Sequence, residues 1–142
     1  MTRVNVIDPT ELADQHLMAE YRELLMVPAS LRRSLRTQSI REVLAKIPPF
    51  YTLNKGHVTF FYNKLVYLRD RYELLRSHLA ARGFSLDETR TFELGDLPPV
   101  FAGDWAVTPA AERIVRERIA ERIASKPEWY RWTPYDKKFL HG

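Results

Sequence analysis

Apolar residues recur every three or four positions in three stretches of this chain. The longest runs through Val58, Phe61, Leu65, Leu68, Tyr72, Leu75 and Leu79, the spacing of one face of a helix that advances 100° per residue. Gly83 follows it, where a helix commonly ends in the left-handed conformation. A second stripe is Ala111, Val115, Ile119 and Ile123, broadened by Ile114. It is opened by Thr108 and Pro109, an N-cap residue and a proline at the first helical position. The third comprises Leu17, Met18, Tyr21, Leu24 and Leu25 and begins near Asp14, which is expected to act as its N-cap. Pro28 lacks an amide hydrogen and should kink or restart that helix. Period-two alternation is missing. The pattern predicts an all-α fold without a sheet: a single compact domain over 1–142, with three main helices near 14–36, 57–82 and 109–125.

The intervening segments are irregular. Residues 2–11 read as an extended arm, with β-branched Val4, Val6 and Ile7 ahead of the turn signal Asp8-Pro9-Thr10. Too little chain follows for a sheet, so the arm is expected to lie on the helices. Residues 38–56 form a connector broken by Pro48-Pro49 and Gly56, with one short helix from Ile40 to Ile47. Residues 84–107 form a long ordered excursion anchored by Phe84, Leu86, Phe92, Leu94, Leu97 and Phe101. A structureless loop of that length is uncommon, so short helical turns are expected inside it. The tail from Pro127 carries Trp129, Tyr130, Trp132, Tyr135 and Phe139 among Arg131, Lys137 and Lys138. Such aromatics can stack on nucleobases or pin the tail to the helices, and packing is the preferred reading for Trp129 and Tyr130.

Composition narrows the chemistry. The 142 residues include 45% hydrophobic and 28% charged positions, usual for a globular domain. The absence of cysteine excludes disulfides, a thiolate nucleophile and thiolate-ligated metal. Histidines 16, 57, 78 and 141 show no metal spacing, and there is no phosphate-binding glycine loop or nucleophile elbow. No apolar run reaches membrane-spanning length. The net charge of +4 suggests a polyanionic partner.

The chain also offers an amine and a carboxylate. Removal of Met1 ahead of the compact Thr2 would leave a chain beginning with the α-amine of Thr2. An α-amine has a pKa of about 8, so a useful fraction is neutral and nucleophilic at physiological pH. On the helix near 14–36, Gln15, Ala19, Arg22 and Met26 fall opposite the apolar stripe, with His16 and Glu23 on one flank of that side. Glu23 could serve proton transfer beside the amine. Taken alone, these features also fit an ordinary solvated face.

Three blocks carry a resemblance. Met1-Thr2-Arg3-Val4-Asn5 with Glu11 to Leu24, then Gly56-His57-Val58-Thr59-Phe60-Phe61-Tyr62-Asn63-Lys64-Leu65, then Trp129-Tyr130-Arg131, resemble the phage endonuclease V family of pyrimidine-dimer DNA glycosylases with lyase activity. The resemblance implies an enzyme that acts on double-stranded DNA containing damaged nucleotides and needs no metal or organic cofactor. Thr2 and Glu23 match its catalytic positions, Thr2 as the nucleophile that forms an imine with the sugar. Arg3 and Arg22 match DNA contacts, as do Gln15 and His16. His57 matches too, although a histidine at a helix start also reads as a capping or packing residue. The chain departs from the family at Met26, where an arginine is usual, at Leu25, where a proline is usual, and at Tyr72, where the phage prototype has glutamine.

These readings lead to a monomeric, intracellular repair enzyme that excises UV-induced pyrimidine dimers and cleaves the strand by β-elimination. Two alternatives remain: a related glycosylase/lyase for other damaged or abasic sites, and a non-catalytic basic DNA-binding module.

Overall fold

The computed structural model describes residues 4–136. All regular structure among them is helical: α1 (Asp14–Glu23), α2 (Met26–Ser34), α3 (Ile40–Ala45), α4 (His57–Phe60), α5 (Leu65–Ala81) and α6 (Pro109–Ser125), with 3-10 turns at Pro9–Glu11 and Pro99–Phe101. No helix among the described residues is long and apolar enough to cross a membrane.

The expected helix near 14–36 is two helices. Pro28 has no N–H to offer the Leu24 carbonyl, which instead receives Val27 N–H at 3.3 Å. The chain restarts there, and Pro28 sits in the first turn of α2, where a missing donor costs nothing. Asp14 is not the N-cap of α1. Ala13 holds that position without a side-chain bond, and Asp14 is the first helical residue. Its carboxylate is drawn inward by Arg82 Nη1 at 2.9 Å, a stronger partner than the neutral amides of a helix start.

The expected helix near 57–82 is also divided, at Phe61–Lys64. Successive i→i+3 bonds, Phe61 to Val58, Tyr62 to Thr59 and Lys64 to Phe61, carry the chain through the break. The apolar stripe stays in phase: Phe61, Leu65, Leu68, Tyr72, Leu75 and Leu79 are all fully buried. The start of α5 is capped from outside the helix. The Gly103 carbonyl accepts from Val66 N–H at 3.0 Å and Tyr67 N–H at 3.3 Å. A Cβ on Gly103 would lie 2.3 Å from the Asn63 carbonyl oxygen, so only glycine permits this approach. At the other end Gly83, with φ 93°, stops α5 as expected. Its N–H bonds Ala80 and that of Phe84 reaches back to Leu79, both orphan carbonyls of the last turn.

Other expectations also hold. Thr108 caps α6 through Ala111 N–H, with Pro109 next. The connector contains α3, opened by a reciprocal Ser39–Glu42 capping box.

At the centre α1 and α5 pack antiparallel, with Tyr21 stacked on Tyr72 at 4.8 Å. One continuous core includes residues from the arm (Val4, Val6, Ile7), the helices and the excursion (Phe92, Phe101). Two ion pairs cross this core. Glu20, 1% exposed, takes Arg71 Nε at 2.8 Å and Nη2 at 3.0 Å, and Asp14 takes Arg82.

Candidate active site

From Val4 onward the arm is bound to the helices and the connector. Val4 is fully buried. Its N–H donates to His57 Nε2 at 2.8 Å, and its carbonyl accepts from the Tyr51 hydroxyl at 2.7 Å. The other ring nitrogen of His57 lies 2.7 Å from the Thr52 carbonyl. The Val4 N–H donor at Nε2 and the carbonyl acceptor at Nδ1 assign the neutral tautomer with hydrogen on Nδ1. Further along, the Ile7 carbonyl accepts from Arg71 Nη1 at 2.7 Å, and Arg71 is itself fixed by Glu20. Between these anchors Val6 adopts φ 40°, and Ile7 N–H turns back to the Asn5 carbonyl. This γ-turn on a β-branched residue costs about 1–3 kcal/mol and persists because both flanks are held.

The anchors give the arm a direction. The Pro9 and Leu12 carbonyls accept from Arg82 Nη2, level with Asp14 at the start of α1. Ile7 lies at the Arg71–Glu20 pair, deeper along both helices. Val4 lies at His57, upstream of α5. Traced back from Leu12, the arm therefore follows α1 toward its C-terminal end, where half-buried Glu23 is the last residue. Glu23 follows Glu20 by three residues, one turn further along a neighbouring line of the helix. Thr2 and Arg3 lie outside the described residues.

On the outer side of α1 the tail is stitched down. Gln15 Nε2 donates to the Trp129 carbonyl at 2.5 Å, while its Oε1 accepts from Arg131 N–H at 3.0 Å. Asp14 N–H donates to the Arg131 carbonyl at 2.7 Å, and the Asp14 carboxylate also takes Thr133 through N–H and hydroxyl. The His16 ring stacks on Tyr130 at 4.7 Å; burial, aided by Arg122, pushes its pKa down and favours neutral imidazole. A groove of about 660 Å³ opens beside these contacts, lined in part by Met18, Arg22, Phe84, Trp129 and Arg131. Arg22 is exposed, and Trp129 remains 57% exposed. The packing reading thus holds for Tyr130 and the tail backbone, while the Trp129 ring keeps much of its surface open.

A family model described as pyrimidine dimer DNA glycosylase matches residues 1–92. The chain belongs to this family. It is therefore a DNA repair glycosylase of the endonuclease V type, and its substrate is DNA. The match contains the arm, α1 and the Tyr51–His57 segment; the tail block at Trp129 to Arg131 lies beyond it.

The three positions read above as departures from the resembled family differ in exposure. Tyr72 is fully buried in the stack on Tyr21, so that exchange alters packing and not the outer surface. Leu25 is half-buried at the N-cap of α2. Met26 is 53% exposed, and of the three it alone is an exposed position.

Sequence reasoning missed the paired role of Tyr51 and His57 at Val4, and the buried charges. A signal for the latter existed: Leu68, Arg71, Leu75, His78 and Arg82 keep the three-and-four spacing of a buried face. For Tyr51 the sequence offered no sign beyond aromatic character.

Proposed function

We propose that this glycosylase uses the α-amine of Thr2, exposed by loss of Met1, as the nucleophile of a combined glycosylase and AP lyase reaction on pyrimidine-dimer DNA. The amine attacks the anomeric carbon of the damaged nucleotide's sugar, and the glycosyl bond breaks with its electron pair leaving on the base. The sugar ring opens as the amine nitrogen and that carbon form an imine. The imine acidifies the neighbouring C2′ proton; its removal expels the 3′ phosphate by β-elimination and cleaves the strand. Glu23 serves the proton transfers, first assisting glycosyl cleavage and then taking the C2′ proton.

The observation that supports this reading is the anchored arm. Val4, two residues from Thr2, is held through both its N–H and its carbonyl, and the arm follows α1 toward the end that carries Glu23. A nucleophile on a tethered terminus enjoys the high effective concentration that an intramolecular arrangement supplies. Arg22 and Arg3 grip backbone phosphates beside the reacting sugar, with Gln15 and His16 contacting DNA through the segment they share with the tail. The nucleotide must be unstacked to expose its sugar, at a cost of a few kcal/mol that is least at a damaged step. The protein acts as a monomer.

The test is borohydride trapping on a dimer-containing duplex, followed by peptide mapping. The expected result is one protein–DNA adduct, on Thr2, suppressed when Met1 is retained or the terminus is tagged. An adduct on Lys64, whose ammonium is pushed toward the neutral form by burial, would replace Thr2 as the nucleophile. An oligonucleotide with an abasic site, run in parallel, separates dimer preference from general lyase action.

A further inference from the structure

We propose that His57 and Tyr51 are positioning residues that set the reach of the N-terminal nucleophile; the inference rests on the Thr2 reading above. The argument begins with what an extended arm lacks. Residues 4–7 belong to no helix or strand, so no ladder of backbone bonds fixes their register. Register is supplied instead by side chains that read the backbone of one residue. At Val4 the His57 ring accepts the N–H and the Tyr51 hydroxyl donates to the carbonyl, the two bonds that a neighbouring strand would otherwise provide.

Both side chains are held against rotation. His57 is 2% exposed, its Nδ1–H directed to the Thr52 carbonyl and its ring in T-shaped contact with Tyr51 at 5.4 Å and Phe61 at 5.6 Å. Tyr51 stacks on Trp105 at 6.1 Å, which ties it to the excursion. Gly56 permits the arrangement. At φ 98° it turns the chain into α4, and a Cβ there would stand 3.2 Å from Pro48 Cγ. The connector therefore bends so that Tyr51 and His57, six positions apart in the chain, converge on one peptide unit. A bulky hydrophobic core could bury Val4 as well, but it could not tell one register of the arm from the next. The hydrogen bonds can, because a slip of one residue leaves a buried N–H unsatisfied, a loss of about 1–3 kcal/mol.

The consequence is specific to chemistry. A misplacement of about 1 Å in a reacting atom can cost on the order of a hundredfold in rate. DNA affinity, which depends on cations elsewhere, should not follow. Three variants test this: Tyr51→Phe and His57→Phe, which keep the ring packing and lose the bond, and His57→Gln, whose amide oxygen can accept Val4 N–H again. Expected are a roughly ten- to hundredfold fall in trapped adduct on abasic DNA for the two phenylalanine variants, affinity for undamaged duplex within about twofold of wild type, and partial recovery in His57→Gln. A readout independent of catalysis is amide hydrogen exchange at Val4, slow in the wild type and faster in both phenylalanine variants. Unchanged exchange in the variants would overturn the proposal. So would faster exchange with undiminished adduct, or adduct falling only in step with affinity or melting temperature. If the wild type forms no adduct at Thr2, the nucleophile assignment fails instead, and exchange still decides whether these side chains hold the arm.

Discussion

Glu20 and Glu23 stand one turn apart on α1 and meet opposite conditions. Glu20 is sealed against Arg71 and makes two charge-assisted bonds, a structural task. Truncating it in Glu20→Ala leaves a buried guanidinium without its counter-ion, and the expected loss is about 3–5 kcal/mol in a urea titration. Glu23, half-buried at the helix end, keeps access to a substrate. Glu23→Gln keeps the shape and removes the proposed base. Binding to damaged duplex should persist while strand cleavage falls by about a hundredfold or more in a gel assay; cleavage at wild-type rate would remove Glu23 from the mechanism. Gly103 shows how one backbone contact sets a helix start. Gly103→Ala forces a methyl into the Asn63 carbonyl and should cost about 1–3 kcal/mol, read as a lowered melting temperature.

Among the elements, the tail depends most on ionisation state. Among the described residues, His16 and His78 face it. His16 stacks on Tyr130, and His78 Nδ1 lies 2.7 Å from the Tyr135 hydroxyl. Arg82 Nη2 donates to that same hydroxyl at 3.2 Å. Burial pushes both histidine pKa values below their ordinary 6.5, against the opposing pull of Asp8 on His78. A depressed histidine pKa favours the neutral form in the folded state. The stability it contributes is complete above pH 6.5 and is lost as pH falls through the depressed values. Asp14, the other tail anchor, responds later. Burial raises its pKa, but bonds from Thr133 and Arg82 outweigh that and hold it below 3.8, so its contribution survives until more acidic pH. Acidification should thus loosen the tail in two stages. Tryptophan fluorescence from Trp129 and Trp132, followed against pH, should show a first change below pH 6.5 and a second below pH 3.8. A single transition would mean the histidines do not hold the tail.

At the scale of the whole molecule, much of the positive charge is spent internally. Arg71, Arg82, Arg32 and Arg116 are paired with Glu20, Asp14, Asp96 and Glu11. The exposed Arg22 on the groove is the cation proposed above for phosphate contact. For roughly four to six phosphate contacts, log K for undamaged duplex should fall with a slope of about −4 to −5 against log salt. Met26→Arg puts a cation on an exposed position next to α1 and should steepen the slope by up to ~1 unit. A slope near zero in a salt titration would mean that this surface meets no phosphate.

The helical class, the short helix in the connector, the caps at Thr108 and Gly83 and the exposure of Ala19, Arg22 and Met26 follow from local spacing, because periodicity and capping act within a few residues; Gln15, His16 and Glu23, expected on the same outward side, are half-buried. The interruptions of the two long helices were only partly visible. Pro28 announced one, but the other at Phe61–Lys64 leaves the apolar period intact, and the carbonyl that caps α5 comes from Gly103, far away in sequence. Tertiary structure alone decided that Asp14 clamps the tail instead of capping α1, that Gln15 is tied to the tail backbone, and that Tyr51 and His57 meet at Val4. Each joins groups that are distant along the chain. Local patterns record which face of an element is buried, whereas the partner it is buried against depends on how the whole chain closes.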